Sequence, residues 1–184
     1  MIKTSLQQFN LTMRFFTPEL YLRFNSPDPS VSNKADEDWE SAIREYGETL
    51  DKIRSQLPPE AGKLADLCLH DAGLLADEQA KEFLSPFRFS PAMEILSVNH
   101  QGDVVVLIYQ LWDRVRKSPS PSQWPFSKHR VHWLYDEIDL ASPHGSLYFH
   151  RVFLSDGRTL EIPFSSVFIH VVPLSRSAKT TGDS

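Results

Sequence analysis

The chain predicts an α+β fold, an N-terminal helical hairpin packed on an antiparallel meander sheet of five or six strands, and three observations carry that expectation. From Val131 to Val172 aromatic and branched residues alternate with polar ones and are broken at Asp156-Gly157, the pattern of an antiparallel meander. Ahead of it lies a half rich in Leu, Ala and Glu with apolar residues at helical spacing. The strands after Met93 are joined by turns too short for parallel crossovers, which argues against a parallel α/β sheet.

Element by element, residues 1–12 read as a polar extension and Met13 as the start of the folded unit. Thr17 is placed as an N-cap and Pro18 at the first helical position. The start at Arg14-Phe15-Phe16 also makes Met13 a candidate translation start. Residues 24–34 read as a loop because two prolines interrupt them. Trp39, Ile43, Tyr46, Leu50, Ile53 and Leu57 then follow each other at spacings of three and four, predicting a helix from about Ala35 to Gln56. Pro58-Pro59 ends it, and Pro59 can open a second helix whose Ala61, Leu64, Ala65 and Cys68 would pack back on the first.

A third helical stretch is expected over Asp77 to Phe83, closed by Ser85-Pro86. Met93 to Val98 and Val104 to Leu111 read as strands joined around Gly102, and the unbroken apolar run from Val104 to Ile108 predicts a strand covered on both faces. Ser142-Pro143-His144-Gly145 and Ser155-Asp156-Gly157-Arg158 are the expected reversals of the meander. The domain is thus bounded at 13–174, with 175–184 a polar tail expected to be disordered.

Composition narrows the function classes. A net charge of -5, with acidic residues crowded into 36–51 and 66–82, disfavours binding to nucleic-acid phosphates. No apolar run approaches the ~20 residues that span a bilayer, so no membrane role is expected. Cys68 is the single cysteine, which excludes an internal disulfide and a multi-thiolate metal site and fits the cytoplasm. The glycines form no phosphate-cradling loop, and no cofactor is expected.

The polar residues of the meander are the candidate site. Alternation from Arg130 places Val131, Trp133 and Tyr135 on one face and His132, Leu134, Asp136, Ile138 and Leu140 on the other. With a reversal near Ser142, Tyr135 to Glu137 would lie opposite Phe149 to Arg151. Trp133, Asp136, Glu137, His150 and Arg151 are therefore the candidate binding residues, set against an ordinary exposed charge pair. His132, Asp136 and His150 are the alternative metal ligands, since imidazole and carboxylate suit a divalent cation, although no tight His-Glu-x-x-His spacing announces one. His70-Asp71, at a helix end, could form a general-base pair, and with Glu137 makes the alternative catalytic set. It could equally serve the helix terminus and local backbone. Cys68, two residues from His70, would not face it on a helix and reads as a buried thiol. Trp112, Trp124 and Phe126 beside the proline-rich loop offer a second interaction surface.

Three segments together, Met13-Arg14-Phe15-Phe16-Thr17-Pro18-Glu19-Leu20-Tyr21, Leu69-His70-Asp71-Ala72, and Trp133-Leu134-Tyr135-Asp136-Glu137 ahead of His150 and Ser155-Asp156-Gly157-Arg158, resemble a bacterial family of uncharacterised proteins with a Phe-Thr-x-x-x-Tyr-like opening. The likeness spans roughly Met13 to Phe168. It implies a bacterial cytoplasmic protein and contributes no catalytic residues. The expectation is a non-enzymatic domain that binds a protein or small ligand, with a metal-assisted hydrolase as the alternative.

Overall fold

The computed structural model describes residues 13–76, 93–126, 129–142 and 145–173. The expected extension, the helix over Asp77 to Phe83, the centre of the Pro143-His144 reversal and the tail lie outside those residues.

Three helices come first: α1 (Pro18–Phe24), α2 (Pro29–Ile53) and α3 (Pro59–Asp66). Each has proline in its first turn, where the missing N–H has no intrahelical acceptor to lose. The Thr17 hydroxyl accepts the Leu20 N–H at 3.1 Å, capping α1. The expected loop over 24–34 is corrected on this point. Asp28 accepts the Ser30 N–H at 2.8 Å, so Pro29 opens α2 instead of blocking it.

The buried face of α2 is Ala35, Trp39, Ala42, Leu50 and Ile53, while Ile43 is 47% exposed. The predicted stripe is thus rotated, because small Ala35 and Ala42 allow close approach. The helical hairpin is α1 against α2. Ala61 and Leu64 of α3 join the core of the sheet instead of packing back on α2.

The strands are β1 (Gly73–Leu74), β2 (Met93–His100), β3 (Asp103–Leu111), β4 (Arg116–Lys117), β5 (Trp133–Leu140), β6 (Tyr148–Leu154) and β7 (Thr159–Pro173). Every pairing is antiparallel, in the order β1-β2-β3-β7-β6-β5, with β4 added beside the start of β7. The 15-residue β7 joins the two halves: its first part pairs with β6 and its second with β3. The meander β5-β6-β7 is therefore knitted to the β2-β3 hairpin by its last strand. Gln101 and Gly102 both take positive φ, 52° and 90°, and make the tight reversal between β2 and β3.

The sheet curls until its ends meet. Trp133 N–H donates to Ala72 O and Asp71 N–H to Trp133 O, each at 2.9 Å, and Leu74 N–H reaches Val131 O at 2.9 Å. Inside lie Val98, Leu107, Tyr109, Trp133, Val152 and Phe164. The predicted two-sided burial of β3 holds from Val104 to Tyr109. On the outside of β5 and β6, Leu134 and Phe153 meet Phe16, Leu20, Trp39 and Trp124 from the helical side and the proline-rich loop.

Asp156-Gly157 turns β6 into β7. At Gly157 φ is +83°, and an added Cβ would stand 2.6 Å from Trp124 Cδ2 and 2.8 Å from Pro121 Cδ. Gly157→Ala is expected to lose about 3 kcal/mol, combining the left-handed backbone with overpacking. Gly47, inside α2, meets nothing within 4 Å. Gly47→Ala should therefore gain about 0.5–1 kcal/mol from helix propensity. Urea midpoints moving in opposite directions check the pair; equal shifts would contradict it.

Candidate functional site

A bulge organises the site. In the β5-β6 ladder Trp133 faces Leu154 but Tyr135 faces Phe153, so Leu134 is the extra residue. The extra residue flips the alternation predicted from Arg130. Trp133 thereby joins Asp136 and Ile138 on the inner side, while Leu134 and Tyr135 pack toward the helices.

Asp136 is then gripped from within the core. Trp133 Nε1–H donates to Oδ1 at 2.9 Å, and His150 Nε2 approaches Oδ2 at 3.1 Å. The other ring nitrogen of His150, Nδ1, is 2.8 Å from the Tyr109 hydroxyl. His150 is 0% exposed. Burial first, then the Asp136 and Glu94 charges, push the Tyr109 phenol well above its ordinary pKa, so it stays protonated. Its proton needs an acceptor, and Nδ1 is the one in reach. Nδ1 then accepts from the phenol, and Nε2 points its hydrogen at Asp136. The assembly Tyr109–His150–Asp136–Trp133 thus ends on a carboxylate that is 18% exposed.

That carboxylate looks into a groove of about 260 Å³ between the segment after α3 and the edge of β5. Phe16, Tyr46 and Tyr135 supply aromatic walls, and His70, Cys68 and Asp66 complete the rim. His70 Nδ1 lies 2.7 Å from the Leu134 carbonyl, which can only accept, so Nδ1 carries the proton. Tyr46 OH accepts the Ile138 N–H at 2.9 Å. Side chains thus occupy the edge of β5 where a further strand would pair.

Glu137 points the other way, beneath the N-terminal segment. It is 1% exposed; Oε1 accepts N–H bonds from Phe15 and Phe16 at 2.7 and 2.9 Å, and Oε2 accepts that of Arg14 at 2.8 Å. Arg151, its cross-strand neighbour, turns instead to Glu161 at 2.9 Å and Asp139 at 3.6 Å. The picture of one open polar sheet face is corrected accordingly: around Leu134, Tyr135 and Phe153 the outer face is covered from the helical side, and the inner one is core. Trp133, Asp136 and His150 come together, while Glu137 lies beneath the segment before α1 and Arg151 joins the ion pairs with Glu161 and Asp139.

His132 sits at the seam, bridged to Gly73, with its N–H on Ser155 Oγ at 2.9 Å. It lines a larger cleft of about 750 Å³ with Arg130 and Arg158. That cleft runs to Ala76 and His129, beside residues outside the described ranges. Among the described residues no three His, Cys, Asp or Glu side chains stand close enough together to hold one metal ion. Asp71 adopts φ 64° and its carboxylate is 3.6 Å from His70 Nε2, beyond hydrogen-bond length.

Two further expectations change. Cys68 is exposed, because it lies past the end of α3. Trp124 is buried with Nε1–H on Ser155 O at 2.8 Å, and Trp112 is the tryptophan of that region left partly exposed. Sequence reasoning missed Tyr109, Phe16, Tyr46 and Tyr135. Tyr109 carried one signal: a phenol in an unbroken apolar strand must bury a hydroxyl, which requires a partner.

The phenols predict an alkaline limit. Burial is the main cause that raises Tyr46 and Tyr109 above the ordinary phenol pKa of about 10. A raised acid keeps its proton in the folded state while the unfolded chain loses it above about pH 10, so stability is full below that pH and falls as pH rises beyond it. Urea midpoints should be flat from neutral pH to about pH 9 and then decline, less steeply in Tyr109→Phe; equal slopes in both proteins would contradict the assignment.

No helix among the described residues is long and apolar enough to cross a membrane. Compared with known proteins, the chain matches no family model and no curated protein.

Proposed function

We propose that the protein is a non-enzymatic binding domain whose small ligand seats in the groove above Asp136. The observation that carries this reading is the carboxylate itself. It is clamped from the core by Trp133 and His150 yet has a face on a concave, aromatic-walled surface. Convergent polar groups in an apolar recess are the usual anatomy of a ligand site. A carboxylate kept only for the core would be expected to bury all its acceptor positions.

The metal-assisted hydrolase finds less support in the geometry. Its six residues divide among the groove, the seam and the helix-covered face, with Asp136 and His150 bonded to each other. The acidic composition, the single thiol and the resemblance to a bacterial family fit a cytoplasmic bacterial setting.

The test is a thermal-shift screen of metabolites on wild-type protein and on Asp136→Asn. Compounds that raise the wild-type Tm should lose at least ten-fold in apparent affinity in the variant, since a ligand at 100 times its Kd stabilises by about 2.7 kcal/mol. Compounds stabilising both proteins equally would contradict the placement.

A further inference from the structure

We propose that the ligand of this groove is an organic cation, an alkylammonium group. The proposal rests on the binding reading above and names the ligand class. Its argument is charge balance. The groove lining includes the carboxylates of Asp136 and Asp66 and contains no Lys or Arg. Asp66 is answered by Arg54 at 3.0 Å on the surface. Among the described residues no Lys or Arg pairs with Asp136; its donors are an indole N–H and the His150 imidazole.

Each carboxylate oxygen holds one of these two bonds and keeps a second acceptor direction. The walls suit the same guest, because Phe16, Tyr46 and Tyr135 give the groove an apolar lining for an alkyl stem. Size sets the limit. A groove of about 260 Å³ is below the usual range for drug-sized ligands, and takes an ammonium head with a short alkyl stem. A free amine and a lysine side chain share this chemistry.

The probe is n-butylammonium, titrated into wild-type protein and followed by the ¹H–¹⁵N signals of the Trp133 indole and the Asp136 and His70 amides. The expected result is saturable shifts, weakened at least ten-fold in Asp136→Asn and by added salt, with none from butyrate. Cys68→Phe, a change at an exposed position on the rim, provides a second variant that fills the groove without touching the clamp; it should block binding too. An acetylated lysine tripeptide amide separates the sources: ten-fold tighter binding than butylammonium assigns a lysine of a partner protein, weaker binding a free amine.

If n-butanol binds as tightly as butylammonium and Cys68→Phe blocks both, the cation proposal is overturned while the groove stands. If no probe shifts the groove signals at concentrations that shift signals elsewhere, both are overturned.

Discussion

Glu137→Ala is expected to destabilise the protein by about 4–5 kcal/mol. Three consecutive N–H groups, of Arg14, Phe15 and Phe16, converge on this carboxylate within 2.9 Å. Hydrogen bonds to a charged acceptor contribute roughly 1.5–3 kcal/mol each, and donors left buried without one add their desolvation cost. The bonds also tie the N-terminal segment, with buried Met13 and Phe16, to the outer face of the sheet. Glu137→Gln keeps one acceptor oxygen but turns an amide N–H₂ toward a donor, so an intermediate loss of about 2–3 kcal/mol is expected. Urea denaturation measures both, and limited proteolysis should find the segment before α1 newly cleavable in the alanine variant. A loss under about 1 kcal/mol for Glu137→Ala would remove this carboxylate from the account.

The second large effect is at His150. His150→Leu keeps an apolar side chain of comparable size but strands two polar groups, the Tyr109 hydroxyl and one oxygen of Asp136. Breaking a buried charged network from one side costs roughly 3–5 kcal/mol, because the partner remains. Tyr109→Phe added to His150→Leu should return about 1–2 kcal/mol, since replacing both partners removes an orphan donor. The double-mutant cycle is therefore predicted to be strongly non-additive. Additive losses would mean that the phenol and imidazole do not share a bond in solution.

These two residues also mark how far the sequence could be read. Alternation and turn chemistry are local properties, and they located β2, β3, β6 and the Asp156-Gly157 reversal. The expected register, Tyr135 to Glu137 opposite Phe149 to Arg151, is off by two residues: Tyr135 faces Phe153 and Glu137 faces Arg151. A bulge leaves no mark on alternation until the partner strand is known, so Leu134 shifted every inward assignment on β5 that preceded it. The partners of Glu137 lie more than 120 residues away, in a segment whose sequence shows only a helix start. Sheet closure through Ala72 and Trp133 was equally out of reach, because a two-residue strand has no period. Pro29 misled for a different reason: proline is punctuation only when the residue before it cannot cap, and Asp28 can.

The groove follows from these non-local features together. The bulge turns Asp136 inward, the end of β1 releases the edge of β5, and the chain after α3 roofs the gap with His70 on the Leu134 carbonyl. His150 and Asp136 were legible as polar neighbours. Their burial, and the aromatic walls, were not.

The most direct measurement is the location of a bound ligand by ¹H–¹⁵N chemical-shift mapping on the wild-type protein, using the strongest stabiliser from the thermal screen. Perturbations are predicted to centre on the Trp133 indole, Asp136, Tyr46 and His70. Perturbations centred instead on Arg130, His132 and Arg158 would put the ligand in the larger cleft and contradict the assignment of Asp136 as its anchor.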